Sequence, residues 1–240
     1  MNDTHANARP ATVADTTCIV LAGGLGTRLR DTIGPVPKCM APVCGGLSII
    51  CCAAGRNGFG KSYCRWATSR SRHGSKGRNL TRLFLGRRQP LGTGGAIALA
   101  MTRVRTPQAL ILNGDTFFDM NTDAFLASHA SAGTPMSIAL KPMRDFDRYG
   151  NVRLDADGRV EAFEEKRHCA EGTISAGCYL LRRDSGVLDG LPERFSFETD
   201  VLQPLAGRGL VHGYTDNGYF IDIGVPEDYE RANRELCKLF

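Results

Sequence analysis

Thr17 Cys18 Ile19 Val20 Leu21 runs without a break into Ala22 Gly23 Gly24 Leu25 Gly26 Thr27 Arg28, and this junction decides the fold. Five apolar and β-branched residues fit a short buried strand. The glycines that follow permit tight and left-handed turns that aim successive backbone N–H groups into one concavity, and such a concavity binds anions. The stretch lacks the G-K-S/T of a P-loop, and Leu29 stands where a dinucleotide fingerprint needs a third small residue, so neither of those folds fits. Arg28 and Lys38 add two cations suited to a triphosphate.

Outward from this junction, strand-like and helix-like stretches alternate, the pattern of an α/β layer architecture. Residues 109–112 read as a second buried strand, ending in Asn113 Gly114 Asp115. Between the two strands, Ala, Ile, Leu and Met content predicts a helix over 94–103, entered through Leu91 Gly92 Thr93. Asn121 or Thr122 caps a helix running to about Ser131. Residues 136–141 read as a strand, 151–154 and 159–163 as a hairpin around Asp155 Ala156 Asp157 Gly158, and 174–181 and 219–223 as further strands. Pro226 Glu227 Asp228 opens the last helix, with acids where its dipole favours them. The expectation is a doubly wound, mostly parallel sheet in one domain over 17–240, after a flexible tail at 1–16.

Composition narrows the class. The 240 residues are 42% hydrophobic, and no apolar run approaches the length of a membrane span. The first sixteen residues are polar and lack the apolar block of a signal peptide, and the nine cysteines are odd in number with no repeated paired spacing. A reducing cytoplasm is expected, with neither disulfides nor a zinc site. The basic balance is local: thirteen of the 30 Lys and Arg, and none of the 25 Asp and Glu, fall between residues 32 and 114. A nucleic-acid surface is therefore not expected from charge alone.

The motif L-A-G-G-x-G-T-R-L at 21–29, followed by P-K-x-M-A-P-V at 37–43, resembles the sugar-1-phosphate nucleotidylyltransferases. The likeness continues, in the family's order, through Gln89 to Ala96, Leu112 to Asp115, Phe163 to Lys166, Ser175 to Gly177 and Phe220 to Gly224. Within the family, L-G-T-G-G-A-I, N-G-D-T-F-F-D and G-Y-F-I-D-I-G-x-P-E-D-Y look most like the guanylyltransferases that use a heptose 1-phosphate. Those that use mannose 1-phosphate are the alternative. The resemblance implies a Rossmann-like fold with a small β-rich sugar subregion from about 136 to 217. It also implies GMP transfer from GTP to a sugar 1-phosphate for nucleotide-sugar and surface-glycan (lipopolysaccharide) biosynthesis, with an oligomer as an open option.

Asp115 follows a buried strand and Asp222 lies within another, each an acid amid apolar neighbours where a free carboxylate is costly. Two such carboxylates with phosphate oxygens and water suit Mg²⁺; capping a turn or pairing with Arg are the other roles open to them. The resemblance favours the metal at both positions. It further implies catalytic roles for Arg28 on the β/γ-phosphates, Lys38 and Asp115 near the α-phosphate, and Lys166 on the sugar phosphate. Leu21, Ala22, Gly23, Gly24, Gly26, Thr27, Gln89, Gly92, Thr93, Gly94 and Gly114 would hold the nucleotide. Glu165, Ser175, Gly177 and Glu198 would line the sugar pocket, Ser175 standing where many relatives have Asn. His129, His168 and His212 form no mutual motif and read as surface or structural.

Residues 45–88 break the pattern: the family needs a helix and a central strand there, and the chain offers Arg, Ser, Gly and Cys instead. Reading the permitted codons of 61–68 from the third base of Lys61 can spell V-I-L-S-V-G-Y, the missing strand and its turn. In the other shifted frame, residues 82–87 can read D-Y-S-L-E-E, restoring acids just before Gln89. We read 45–88 as frame-shifted, so the chain as written is expected to fold poorly and lose activity. A non-catalytic nucleotide or sugar binder, or an inactive pseudogene product, are the rival readings.

Overall fold

The structure is a computed structural model and describes residues 12–21, 29–34, 38–43, 47–48 and 91–239. Eleven strands occur among them: β1 Thr16–Leu21, β2 Pro42–Val43, β3 Leu47–Ser48, β4 Gln108–Asn113, β5 Thr116–Phe118, β6 Met136–Phe146, β7 Val152–Leu154, β8 Val160–Phe163, β9 Cys169–Arg182, β10 Val211–Thr215 and β11 Phe220–Asp222. The helices are α1 Arg30–Ile33, α2 Gly92–Met101, α3 Thr122–Ala132, α4 Gln203–Leu205 and α5 Pro226–Glu235, with a π-helical turn Glu198–Leu202 leading into α4. Residues 1–11 of the expected tail lie outside the described residues, whereas Val13–Asp15 forms a 3₁₀ turn before β1. The segment read as frame-shifted also lies outside them, apart from Leu47–Ser48.

The main sheet has the order β1-β4-β9-β6-β10. Pairing is parallel for β1 with β4 and for β6 with β10, and antiparallel where β9 lies between β4 and β6. Four strands therefore run one way and β9 alone runs back, the mostly parallel α/β sheet expected from sequence. β6 and β9 are longer than expected because they pair almost throughout, from Met136↔Leu181 to Phe146↔Cys169. Their outer halves and the antiparallel pair β7–β8 make up the smaller β-rich region. The strand expected over 219–223 does not join the main sheet; β11 pairs antiparallel with β5 as a separate ribbon.

Burial follows composition. β4 is buried along Gln108–Leu112, and Ile97, Ile111, Met136, Ile138, Tyr179, Leu181, Phe197 and Val211 form one core. A second core of Leu29, Ala41, Val43, Phe117, Ile221, Ile223, Ala232 and Leu236 clamps the N-terminal segments against the β5–β11 ribbon and α5. α3 is capped as its sequence demands: the Asn121 side chain accepts from the Ala124 N–H at 3.0 Å, and Gly133 ends the helix at φ +63°. Among the described residues no helix is long and apolar enough to cross a membrane.

Among the described histidines, His168 is exposed and His129 is buried in the core. The His129 Nδ1 lies 2.6 Å from the Ser137 Oγ, and no described group bonds its Nε2. Burial, then the charges of Arg182 and His212, push its pKa down to about 4. The unfolded chain therefore binds the extra proton first, and stability falls as pH drops from about 6.5 toward 4. Between pH 7 and 4.5, wild type should lose about 2 kcal/mol that His129→Gln keeps, measured by denaturant titration. Equal losses in the two proteins would contradict a neutral buried imidazole.

Candidate active site

The candidate residues meet where β1 and β4 end side by side, with Leu21 in register with Asn113. Past that point the chain turns through Gly114, and there is no room for a side chain: a Cβ at Gly114 would stand 2.3 Å from the Leu21 carbonyl oxygen and 2.8 Å from the Cys39 Cβ. The absent side chain lets the 3₁₀ turn Lys38–Met40 pack against the strand end, with Cys39 buried beneath it. Burial pushes the Cys39 thiol up to about 11, which marks a packing residue rather than a nucleophile. Lys38 is thereby held at the end of β4, its Nζ 3.7 Å from the Asp115 Oδ2.

Asp222 arrives from the β5–β11 ribbon, where it pairs with Thr116. The Ile223 N–H donates to the Asp115 carbonyl oxygen at 3.0 Å, tying the two acidic positions together through the backbone. Burial, and then the charge of Asp115, raise the pKa of Asp222. The Gly224 N–H, which donates to Asp222 Oδ1 at 2.7 Å, and the cations Lys38 and Arg148 oppose that rise. Asp222 thus caps a turn as well as facing Asp115. Two carboxylates crowded at a strand end beside a lysine form a site for a cation or for the charge of a phosphate ester. No group of three or more His, Cys, Asp or Glu that could hold a metal occurs among the described residues, so a metal here would rely on substrate oxygens and water.

A second cluster lies on β9. Gly177 has φ +69°, and a Cβ there would stand within 2.9 Å of three Asn113 side-chain atoms, so the strand can kink past Asn113 only as glycine. The Gly177 N–H donates to the Ser175 Oγ at 3.3 Å, and Ser175 Oγ lies 3.2 Å from the hydroxyl of buried Tyr179. Burial and the nearby Glu198 carboxylate raise the pKa of Tyr179, placing Glu198 in the same cluster. Glu198 itself accepts from the Thr93 Oγ1 at 2.9 Å and the Ser196 Oγ at 3.2 Å.

Asp115, Asp222, Lys38 and Gly114 therefore share one corner, and Ser175, Gly177 and Glu198 a neighbouring one, joined through Asn113. Gly92, Thr93 and Gly94 begin α2 and pack against the 193–198 segment. Glu165 and Lys166 are exposed after β8 and make no hydrogen bond or ion pair with another described residue. Ala22, Gly23, Gly24, Gly26, Thr27, Arg28 and Gln89 lie outside the described residues.

Two contributors escaped the sequence reading. From sequence, Tyr179 reads only as a strand residue. Arg148 donates to the buried Asp228 of α5 at 2.6 Å, with Arg231 3.1 Å from the other oxygen, and it also acts electrostatically on Asp222. Residues 148–150, Arg-Tyr-Gly, could have drawn notice only as a polar turn between strands.

The family profile described as Nucleotidyl transferase matches residues 17–238. The D-glycero-α-D-manno-heptose 1-phosphate guanylyltransferase of Aneurinibacillus thermoaerophilus is 35% identical over 224 residues, covering 91% of this chain and 97% of that protein. The Campylobacter jejuni protein of the same name is 37% identical over 218 residues, covering 88% and 96%. Among solved structures, HddC from Yersinia pseudotuberculosis complexed with GMP-PN superposes with a TM-score of 0.72 at 27% identity, covering 92% of this chain and 99% of that one.

Proposed function

The chain belongs to the nucleotidyl transferase family, and from that premise we propose that it transfers GMP from GTP to D-glycero-α-D-manno-heptose 1-phosphate and releases pyrophosphate. The observation that carries this reading is the meeting of Lys38, Asp115 and Asp222 at the carboxyl ends of β1 and β4, beside the Ser175–Tyr179–Glu198 cluster. Carboxyl ends of strands are where open α/β sheets bind ligands. Two adjoining polar corners provide for two substrates.

The reaction needs no protein nucleophile. An oxygen of the sugar phosphate attacks the α-phosphorus in line, the new O–P bond forms, and the bond to the β-phosphate oxygen breaks. The protein's task is to hold two anions against their repulsion. Lys38 serves the α-phosphate, Arg28 the β- and γ-phosphates, and Lys166 the sugar phosphate. Leu21, the glycine loop with Ala22 and Thr27, Gln89, Gly92 and Gly114 frame the nucleotide. Ser175, Gly177, Glu165 and Glu198 hold the sugar hydroxyls. Asp115 and Asp222 would hold Mg²⁺, which when bound supplies positive charge against the phosphate oxygens. The product is a nucleotide sugar for surface-glycan assembly, made in the cytoplasm.

We propose as well that residues 45–88 are out of frame, so kinetic tests belong on both the chain as written and its frame-restored form. Pyrophosphate release is measured with the four nucleoside triphosphates against heptose, mannose and glucose 1-phosphates. GTP with the heptose phosphate should turn over fastest. Better use of UTP or dTTP with glucose 1-phosphate overturns the substrate assignment, and ligand binding without pyrophosphate release from either form overturns the transferase assignment.

A further inference from the structure

Thr93 follows the glycine-rich turn that the resemblance gives to the nucleotide, yet its side chain is committed elsewhere. Its Oγ1 accepts from the Phe197 N–H at 2.9 Å and donates its proton to Glu198 Oε2 at 2.9 Å. One hydroxyl thus fixes both the backbone before Glu198 and one carboxylate oxygen. The surrounding glycines make the same contact continuous. A Cβ at Gly92 would stand 2.3 Å from the Phe195 carbonyl oxygen, one at Gly94 2.2 Å from the Phe195 ring, and one at Gly95 2.3 Å from the Glu193 carbonyl oxygen. The Gly94 N–H donates to the Phe195 carbonyl at 3.1 Å and the Phe195 N–H to the Leu91 carbonyl at 3.1 Å. The start of α2 and the 193–198 segment are one interlocked unit.

Glu198 would otherwise be free to turn. It sits at the first position of a π-helical turn, a geometry that recurs at functional sites because it interrupts the regular helix ladder. Ser196 holds the same Oε2 from the other side. On β9, Tyr179 stands edge-on to Phe197, with ring centroids 5.2 Å apart, and meets Ser175 through its hydroxyl. Oε2 is therefore taken by Thr93 and Ser196, while no described residue bonds Oε1.

We infer that Thr93 is a positioning residue for the sugar substrate: it aims the Glu198 carboxylate, presenting Oε1 to a sugar hydroxyl, and does not read the base. This rests on the nucleotidylyltransferase reading and moves Thr93 from the nucleotide to the sugar side of the site. A turn shared between the GTP loop and the sugar carboxylate also makes the two subsites one rigid element.

The test compares Thr93→Val, which keeps shape and removes both hydrogen bonds, with Thr93→Ser, which keeps them. The Michaelis constants for GTP and D-glycero-α-D-manno-heptose 1-phosphate are measured in the chain as written and in its frame-restored form. Thr93→Val should raise KM for the sugar phosphate about tenfold or more, as expected for losing a hydrogen bond to a charged group, with KM for GTP within about twofold. Thr93→Ser should restore both values. A rise in KM for GTP that equals or exceeds that for the sugar phosphate, no change in either, or failure of Ser to restore binding overturns the inference. Hydrogen exchange of the Phe197 amide is read alongside, without turnover. Thr93→Val should speed it about tenfold and Thr93→Ser should leave it slow, and equal exchange in both overturns the positioning role. If neither wild-type form releases pyrophosphate, the nucleotidylyltransferase reading falls and the sugar assignment with it, while the Phe197 amide still decides whether Thr93 holds the turn.

Discussion

In the frame-restored chain, Asp222→Asn and Asp115→Asn should each lower turnover by about a hundredfold or more while leaving the protein folded. The expectation comes from a conflict visible in the structure. Burial and the neighbouring Asp115 both disfavour a charge on Asp222, yet the chain keeps a carboxylate there and ties the two positions together through the Ile223 N–H and the Asp115 carbonyl. A pair of like charges costs stability unless something cationic is to be held between them. Replacing one carboxylate by an amide relieves that crowding, so the melting temperature of Asp222→Asn should be unchanged or higher. Activity should move the other way, because losing one major electrostatic stabiliser of a phosphoryl transfer costs on the order of 10²–10³ in rate. Excess chelator should silence wild type to a similar extent, and Mg²⁺ should restore it. Undiminished pyrophosphate release in both variants, or in chelator, would sink the metal assignment. A lower melting temperature with normal turnover would make the two acids structural.

The acids were legible because each breaks an apolar run at the end of a strand, a local signal that needs no partner to be seen. The same holds for the ends of α3, where Asn121 and Gly133 announce themselves, and for the buried run of β4. What stayed hidden was set by pairing across the sequence. Nothing in residues 219–223 says that they will meet 116–118 in a separate ribbon rather than enter the main sheet, because both outcomes bury the same Ile221 and leave Asp222 at the strand end. The antiparallel course of β9 is likewise invisible locally; it is fixed by having β4 on one side and β6 on the other. Thr93 and Glu198 are separated by 105 residues, so their hydrogen bond has no sequence signature, and a threonine after a glycine turn reads as part of that turn. Arg148 escaped for the same reason: its role depends on Asp228, 80 residues away on α5. Glu165 and Lys166 remain on an exposed connection, so their part is carried by resemblance alone.

Restoring the frame across residues 45–88 should raise both the melting temperature and the turnover of this chain, by more than any point change elsewhere. The relatives constrain the argument. The family profile runs through this interval, and the Aneurinibacillus protein aligns over 224 residues covering 91% of this chain and 97% of its own length. The frame argument rests on the content of the interval, where residues 61–68 and 82–87 read as family-like in two different shifted frames. Physically, the written residues cannot do the family's work. A central strand must be apolar on both faces and must pair its backbone with its neighbours, whereas residues 69–78, S-R-S-R-H-G-S-K-G-R, carry five cationic side chains if protonated His73 is counted and no aliphatic residue. Without a partner on its far side, a strand of the nucleotide-binding half exposes an unpaired edge. Net stability is only about 5–15 kcal/mol for a domain, so the loss of one central strand would remove a large share of it. The expected outcome for the chain as written is a broad thermal transition and low turnover. The restored chain should melt sharply and turn over GTP with the sugar phosphate. A sharp transition and full activity in the unrepaired chain, or a gene whose codons at 61–68 and 82–87 exclude both shifted readings, would overturn the frame argument and leave the basic segment in need of a role of its own.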